Sequence, residues 1–167
     1  MINRYALAAS LILASTGISQ AADTKGLHLY YSPARGDNFS TGTEEGRRDA
    51  IGSGYRYVRK QACIHANQAP GTVPLKLYWN PQRGDNFTTA TPRGEQDALS
   101  AGYQFVRIEG YVSPTDMPDS AHLVLYWSPA RGDNFTVTTG KGSEAAIGAG
   151  YDRVRVEGYG FYPETCQ

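Results

Sequence analysis

Three Asp-Asn pairs carry the most chemistry in this chain. Asp37-Asn38, Asp85-Asn86 and Asp133-Asn134 recur at a step of 48 residues, each inside the string Arg-Gly-Asp-Asn-Phe. Tyr30, Tyr78 and Tyr126 stand just upstream at the same step. Carboxylates and carboxamides are planar acceptors and donors of the kind that hold sugar hydroxyls, and aromatic rings cover sugar C–H faces. The candidate ligand-binding set is therefore Tyr30, Asp37 and Asn38, then Tyr78, Asp85 and Asn86, then Tyr126, Asp133 and Asn134. The competing reading gives Asp and Asn to the backbone of their own turn and the aromatics to the core.

Other chemistries fit less well. Arg-Gly-Asp could offer its carboxylate to a receptor's metal, but here it sits in a turn copied three times with Phe packed directly after it. One carboxylate per turn is too few for calcium, so no metal is expected. His28, His65 and His122 do not recur at the 48-residue step and lack metal-ligand spacing. There is no His-Glu-x-x-His and no Gly-x-Ser-x-Gly string. Neither an enzyme nor a cofactor is expected, and triplication suits a binder that gains avidity.

The elements that must position these residues are legible in the second copy. Leu75, Leu77 and Trp79 alternate with Lys76 and Tyr78, a half-buried strand. On this alternation Trp79 and Trp127 share the leucine face and belong to the core, while Tyr30, Tyr78 and Tyr126 point the other way. Pro81 ends the strand, Arg83-Gly84-Asp85 turns, and Phe87 to Ala90 returns as a hairpin. Thr91-Pro92 opens a short helix that Gly102 closes. Tyr103 to Glu109 is a third strand, and Gly110 to Val112 a fourth short one. Gly46, Gly94 and Gly142 recur near the helix start and favour a turn there.

The expected fold is mostly β with short helices: three ββαβ repeats (27–74, 75–122 and 123–167) in a β-trefoil-like, pseudo-three-fold assembly within one domain. A unit of this kind gains a core only by packing on its siblings. The segments from Ala66 to Pro74 and from Ser113 to Ala121 read as linkers between units.

Residues 1–22 read as a secretory signal peptide: Arg4, an apolar stretch from Ala6 to Ile18, and small residues for cleavage after Ala21 or Ala22. The protein is then secreted or periplasmic. In an oxidising compartment the two cysteines, Cys63 and Cys166, are expected to join and to tie the last repeat to the first. The net charge of zero gives no basic face for nucleic acid, and the apolar stretch is too short for membrane insertion.

Tyr-Trp-x-Pro-x-Arg-Gly-Asp-Asn-Phe-Thr-Thr, a helix ending Ala-Gly-Tyr, and Val-Arg-x-Glu-Gly-Tyr together resemble a bacterial secreted repeat of unknown function. Its usual form is Tyr-x-Pro-x-x-Gly-Asp-His-Phe-Tyr-Thr with a Glu-Gly-aromatic close. This resemblance covers nearly the whole mature chain and implies an exported module that binds glycans or surfaces. This chain departs from the pattern with Asn in place of His, and its first copy ends Lys60-Gln61-Ala62-Cys63. The expected function is a lectin-like binding module for carbohydrate or a cell-surface polymer; the alternative is an inhibitor or adhesin that binds a protein receptor.

Overall fold

The structure, a computed structural model, describes residues 23–166. The segment read as a signal peptide, 1–22, lies outside the described residues. Strands β1 (Thr24–Ser32) and β2 (Asp37–Thr41), helix α1 (Glu44–Gly52) and strand β3 (Arg56–His65) form a first ββαβ unit. β4 (Val73–Asn80), β5 (Asp85–Thr89), α2 (Pro92–Ser100) and β6 (Gln104–Val112) form the second. β7 (Ser120–Ser128), β8 (Asp133–Val137), α3 (Gly140–Gly148) and β9 (Asp152–Phe161) form the third. The fold is thus mostly antiparallel β with three short helices.

In each unit the first strand lies in the middle, paired antiparallel with its hairpin partner and with the strand that follows the helix. The hairpin turns at Gly36, Gly84 and Gly132, whose φ values are 70°, 71° and 67°, the left-handed region that glycine enters without steric cost. The fourth strand expected at 110–112 is instead the end of β6. Gly110 allows that continuity: a Cβ there would lie 2.5 Å from Ile64 Cδ1 and 2.8 Å from the His65 carbonyl oxygen.

The helix starts also differ from the turn that the sequence favoured. Thr43, Thr91 and Thr139 are N-caps, each accepting a bond from the N–H of Gly46, Gly94 or Gly142 at 3.0, 3.0 and 3.1 Å. Gly46 and Gly94 lie in the first helical turn because a Cβ would collide with Oγ1 of Thr41 or Thr89. The helix thus pairs a good cap with an unfavourable glycine, because it must lie against the hairpin.

The core explains why one unit cannot stand alone. Leu27, Leu75 and Leu123, the first leucines of the three central strands, meet in one cluster with Ala62, Ile64, Val112 and Ala121. Three further clusters straddle the junctions. Tyr30, Phe39, Ala50 and Tyr55 of the first unit close over Leu77 of the second. Tyr78, Phe87, Ala98 and Tyr103 of the second close over Leu125 of the third. Tyr126, Phe135, Ala146 and Tyr151 of the third close over Leu29 of the first. Each junction leucine is at most 2% exposed, and full burial of such a side chain is worth ~1.5–3 kcal/mol.

Cys63 and Cys166 form a disulfide across a sequence separation of 103 residues, as expected. Cys63 also pairs with Phe161 in the β3–β9 ladder, so the bond fixes the last unit beside the first. No helix among the described residues is long and apolar enough to cross a membrane. Replacing both cysteines by serine should lower the unfolding free energy by ~2–4 kcal/mol, read from urea midpoints. An unchanged midpoint would mean that the junction between the third and first units holds without the staple.

Candidate functional site

Asp37, Asp85 and Asp133 are each 1% exposed, and one carboxylate oxygen of each lies within 4.8 Å of the others. The sequence offered each aspartate either to a ligand or to its own turn. Instead, each accepts bonds from a neighbouring unit. Asn86 gives its backbone N–H (3.1 Å) and Nδ2 (2.8 Å) to Asp37. Asn134 gives the same pair to Asp85 at 3.0 and 2.8 Å. Asn38 gives them to Asp133 at 2.9 and 2.8 Å, closing a ring from the third unit to the first. The hydroxyls of Tyr55, Tyr103 and Tyr151 donate to the aspartate of their own unit and accept from Nδ2 of Asn86, Asn134 and Asn38. Asn is the residue for this place, since its two amide hydrogens serve carboxylate and phenol together.

Three carboxylates this close cannot all ionise cheaply. Burial, followed by the charges of Asp37 and Asp133, raises Asp85 well above the ordinary carboxylate range. Burial and the neighbouring Asp37 raise Asp133 to about 7. Burial, with the adjacent carboxylates, pushes the three tyrosines above their ordinary range. The cluster therefore holds shared protons near neutral pH, or a cation would have to replace them. Counting carboxylates turn by turn had hidden that the units gather all three. The buried carboxylates also leave the Arg-Gly-Asp turns nothing to offer a receptor's metal, although Arg35, Arg83 and Arg131 are exposed.

Tyr30, Tyr78 and Tyr126 are 3%, 1% and 3% exposed and stand in the junction clusters. The side of the strand that carries them is covered by the helix and hairpin of the same unit, so they present no surface to a ligand. Tyr78 spends its hydroxyl on Glu95 at 2.7 Å. Of the nine expected ligand residues, only the asparagines approach an open surface, and Asn86 and Asn134 each line a cleft between units.

Those two clefts are copies of each other. One, about 190 Å³, is lined by Arg35, Asp49 and Tyr55 of the first unit and Trp79, Asn86, Val106 and Arg107 of the second. The other, about 230 Å³, has Arg83, Asp97 and Tyr103 facing Trp127, Asn134, Val154 and Arg155. Every residue pair is related by the 48-residue step. Trp79 and Trp127 do lie on the leucine face, as the alternation requires. That face runs along the unit junction and reaches solvent at its end, so both are half-buried cleft walls rather than core. Arg35 lies 5.6 Å from the Trp79 ring and Arg83 lies 5.2 Å from the Trp127 ring.

An ion pair fixes the far wall. Arg107 donates Nε to Glu109 at 2.9 Å and Nη1 to Asp49 at 2.8 Å. Arg155 does the same with Glu157 (2.6 Å) and Asp97 (2.8 Å). Glu109 is fully buried and also accepts from Thr41 Oγ1, Gly42 N and Thr43 Oγ1 of the preceding unit. Glu157 accepts from Thr89 and Thr91 in the same way. Asp49 and Arg107 escaped the sequence reading, which gave Trp79 to the core and Arg35 to the Arg-Gly-Asp turn, although the repeat of each at the next step was the signal for them.

Residues 26–162 match the family model described as Domain of unknown function (DUF5648). No curated protein and no solved structure gives a significant match.

The carboxyl ring makes stability depend on pH with a defined sign. A native state whose Asp133 pKa lies near 7 binds more protons than the unfolded chain from about pH 4 upward. That contribution is full below about pH 4 and is lost as pH rises through about 7, a change of up to ~4 kcal/mol. Urea titrations in EDTA should therefore give a higher midpoint at pH 5 than at pH 8. Asp133→Asn should flatten that slope. A flat profile in EDTA for the unaltered protein would refute proton sharing at the ring.

Proposed function

We propose that this chain, which belongs to the DUF5648 family, is a secreted, lectin-like module that binds carbohydrate or a cell-surface polymer through two equivalent clefts. The observation that carries the reading is the duplication of the cleft between the first and second units and between the second and third, with nine of ten lining side chains identical and Ser53 in one where the other has Ala101. Each offers an indole wall, a carboxamide, two guanidinium groups and an aspartate, which supply the stacking surface and the planar hydrogen-bonding groups a sugar ring needs. Both are smaller than the ~300–1,000 Å³ of a drug-sized pocket, which suits one ring of a longer chain. The pseudo-three-fold, β-trefoil-like arrangement belongs to the same proposal: closed units set the clefts at fixed separation, and a polymer engaging both gains avidity. The third junction is the weak member, with Tyr31 in the tryptophan position. Export to the periplasm or medium accords with the disulfide, and no catalytic role is assigned.

The second reading, a protein-binding inhibitor or adhesin, has its own support. Ile51, Leu99 and Ile147 occupy one helical position in the three units and are 61%, 56% and 63% exposed.

A glycan array on the mature protein separates the two readings. With a monosaccharide or disaccharide hit, calorimetry should give a stoichiometry near two. Trp79→Ala and Trp127→Ala should each remove one site, with ~10-fold loss of affinity where binding persists. Tyr78→Phe should leave binding intact. Binding that ignores both tryptophans, or a stoichiometry of one, would rule out the paired-cleft reading.

A further inference from the structure

Arg59 is the counterpart of Arg107 and Arg155 at the junction between the third and first units, and it has lost both of its acids. Gln61 stands where they have Glu109 and Glu157, and Ala145 stands where they have Asp49 and Asp97. Nε and Nη2 of Arg59 are shielded from solvent and have no hydrogen-bond partner among the described residues. These two nitrogens form one edge of the guanidinium, the fork that receives a carboxylate with two parallel bonds. Gln61 turns its Nε2 to Ser40 Oγ at 2.8 Å, and its Oε1 is likewise without a partner. An amide oxygen or a water could take one hydrogen bond there but could not neutralise the charge.

Among the described residues the surroundings supply no other anion. Val137 replaces the hydroxyl that Thr41 and Thr89 provide at the other junctions. Nη2 packs so closely on the first turn of α3 that a Cβ on Gly142 would lie 2.6 Å from it. That turn carries no acidic residue, whereas the first turns of α1 and α2 carry Glu44, Glu45 and Glu95. Ala145 is exposed at the outer end of the junction, where the other two junctions carry the longer Asp49 and Asp97. Desolvation of Arg59 lowers its pKa, which is the expected effect of a guanidinium held out of water without a counter-charge.

We propose that the junction between the third and first units is a carboxylate-binding site centred on Arg59, in which a ligand's anion takes the place of the protein's own acids. The entering group passes Ala145 and meets the guanidinium that the other two junctions satisfy internally. This site shares no residue with the paired clefts and stands or falls without them.

The test uses the mature, disulfide-bonded protein. Melting temperature is measured against sodium acetate at ionic strength held constant with chloride. The expected result is a saturable rise of about 3–6 °C. Gln61→Glu combined with Ala145→Asp restores the acids of the other junctions. That variant should melt higher than the parent without acetate and show no further rise with it. Arg59→Met should also abolish the response, and Trp79→Ala should leave it unchanged. A second arm compares galacturonate with polygalacturonate by calorimetry. Tighter binding of the polymer, ~10-fold or more, assigns the carboxylate to an acidic polysaccharide, while equal affinity assigns it to a small acid. No saturable acetate effect on the parent, or an equal effect on the parent and the double variant, overturns the proposal.

Discussion

Three carboxylates, one from each unit, stand within 4.8 Å of one another at the place where the units meet, and almost no solvent reaches them. Such an arrangement is repulsive unless it is neutralised and fully hydrogen-bonded. The protein satisfies it by reaching across every junction: each aspartate accepts from the asparagine of another unit and from a tyrosine of its own. Because the donors run from second unit to first, third to second and first to third, the network has no free end. Removing any unit would strand a buried carboxylate on one neighbour and an amide on the other. The ring therefore specifies closure in a way that the leucine clusters alone, which would tolerate sliding, do not.

The Arg-Glu pairs act at the same junctions with a different logic. Glu109 and Glu157 are buried and accept from threonines of the preceding unit, while their arginines reach out to an aspartate of that unit's helix. Each clamp thereby ties three elements together and sets the cleft wall. The third junction has Gln61 and Ala145 in place of the acids and has the disulfide in their stead, with Cys63 two residues beyond Gln61 on the same strand. A covalent tie does not need the clamp to hold the first unit to the third, which leaves that junction free to change its electrostatics.

The strands, hairpins and caps were legible in the sequence because each depends on neighbours in the chain. Leucine alternation located β4, Arg-Gly-Asp located the turn, and Thr91-Pro92 located the start of α2. The disulfide was legible from the expected signal peptide and from the positions of its cysteines. The site was less legible, because alternation separates two faces of a strand but does not say which face another unit will cover. Tyr78 lost its surface to α2 and the hairpin beside it, while Trp79 kept part of its own at the open end of the junction. The aspartates show the same gap: Asp37 and Asn86 lie 49 residues apart and bond only because the units close. Gly46 and Gly94 are a third case, since their need to be glycine comes from Thr41 and Thr89 on the adjoining strand.

A repeat that builds its surface at junctions, rather than within units, has a consequence for how function diverges. A change in one unit alters only half of a cleft, and the other half belongs to a neighbour that also contributes to a different cleft. Tyr31 therefore removes an indole from the third junction without touching the wall that Arg35 and Tyr55 of the same unit give to the first. Ala145 likewise removes an acid facing Arg59 and leaves Asn134 in place beside Trp127. The core clusters do not constrain these positions, because the buried junction leucines lie further along the strands. Three junctions of one frame can thus carry two chemistries, with a matched pair of aromatic clefts and one bare guanidinium. The buried carboxyl ring holds all three in register.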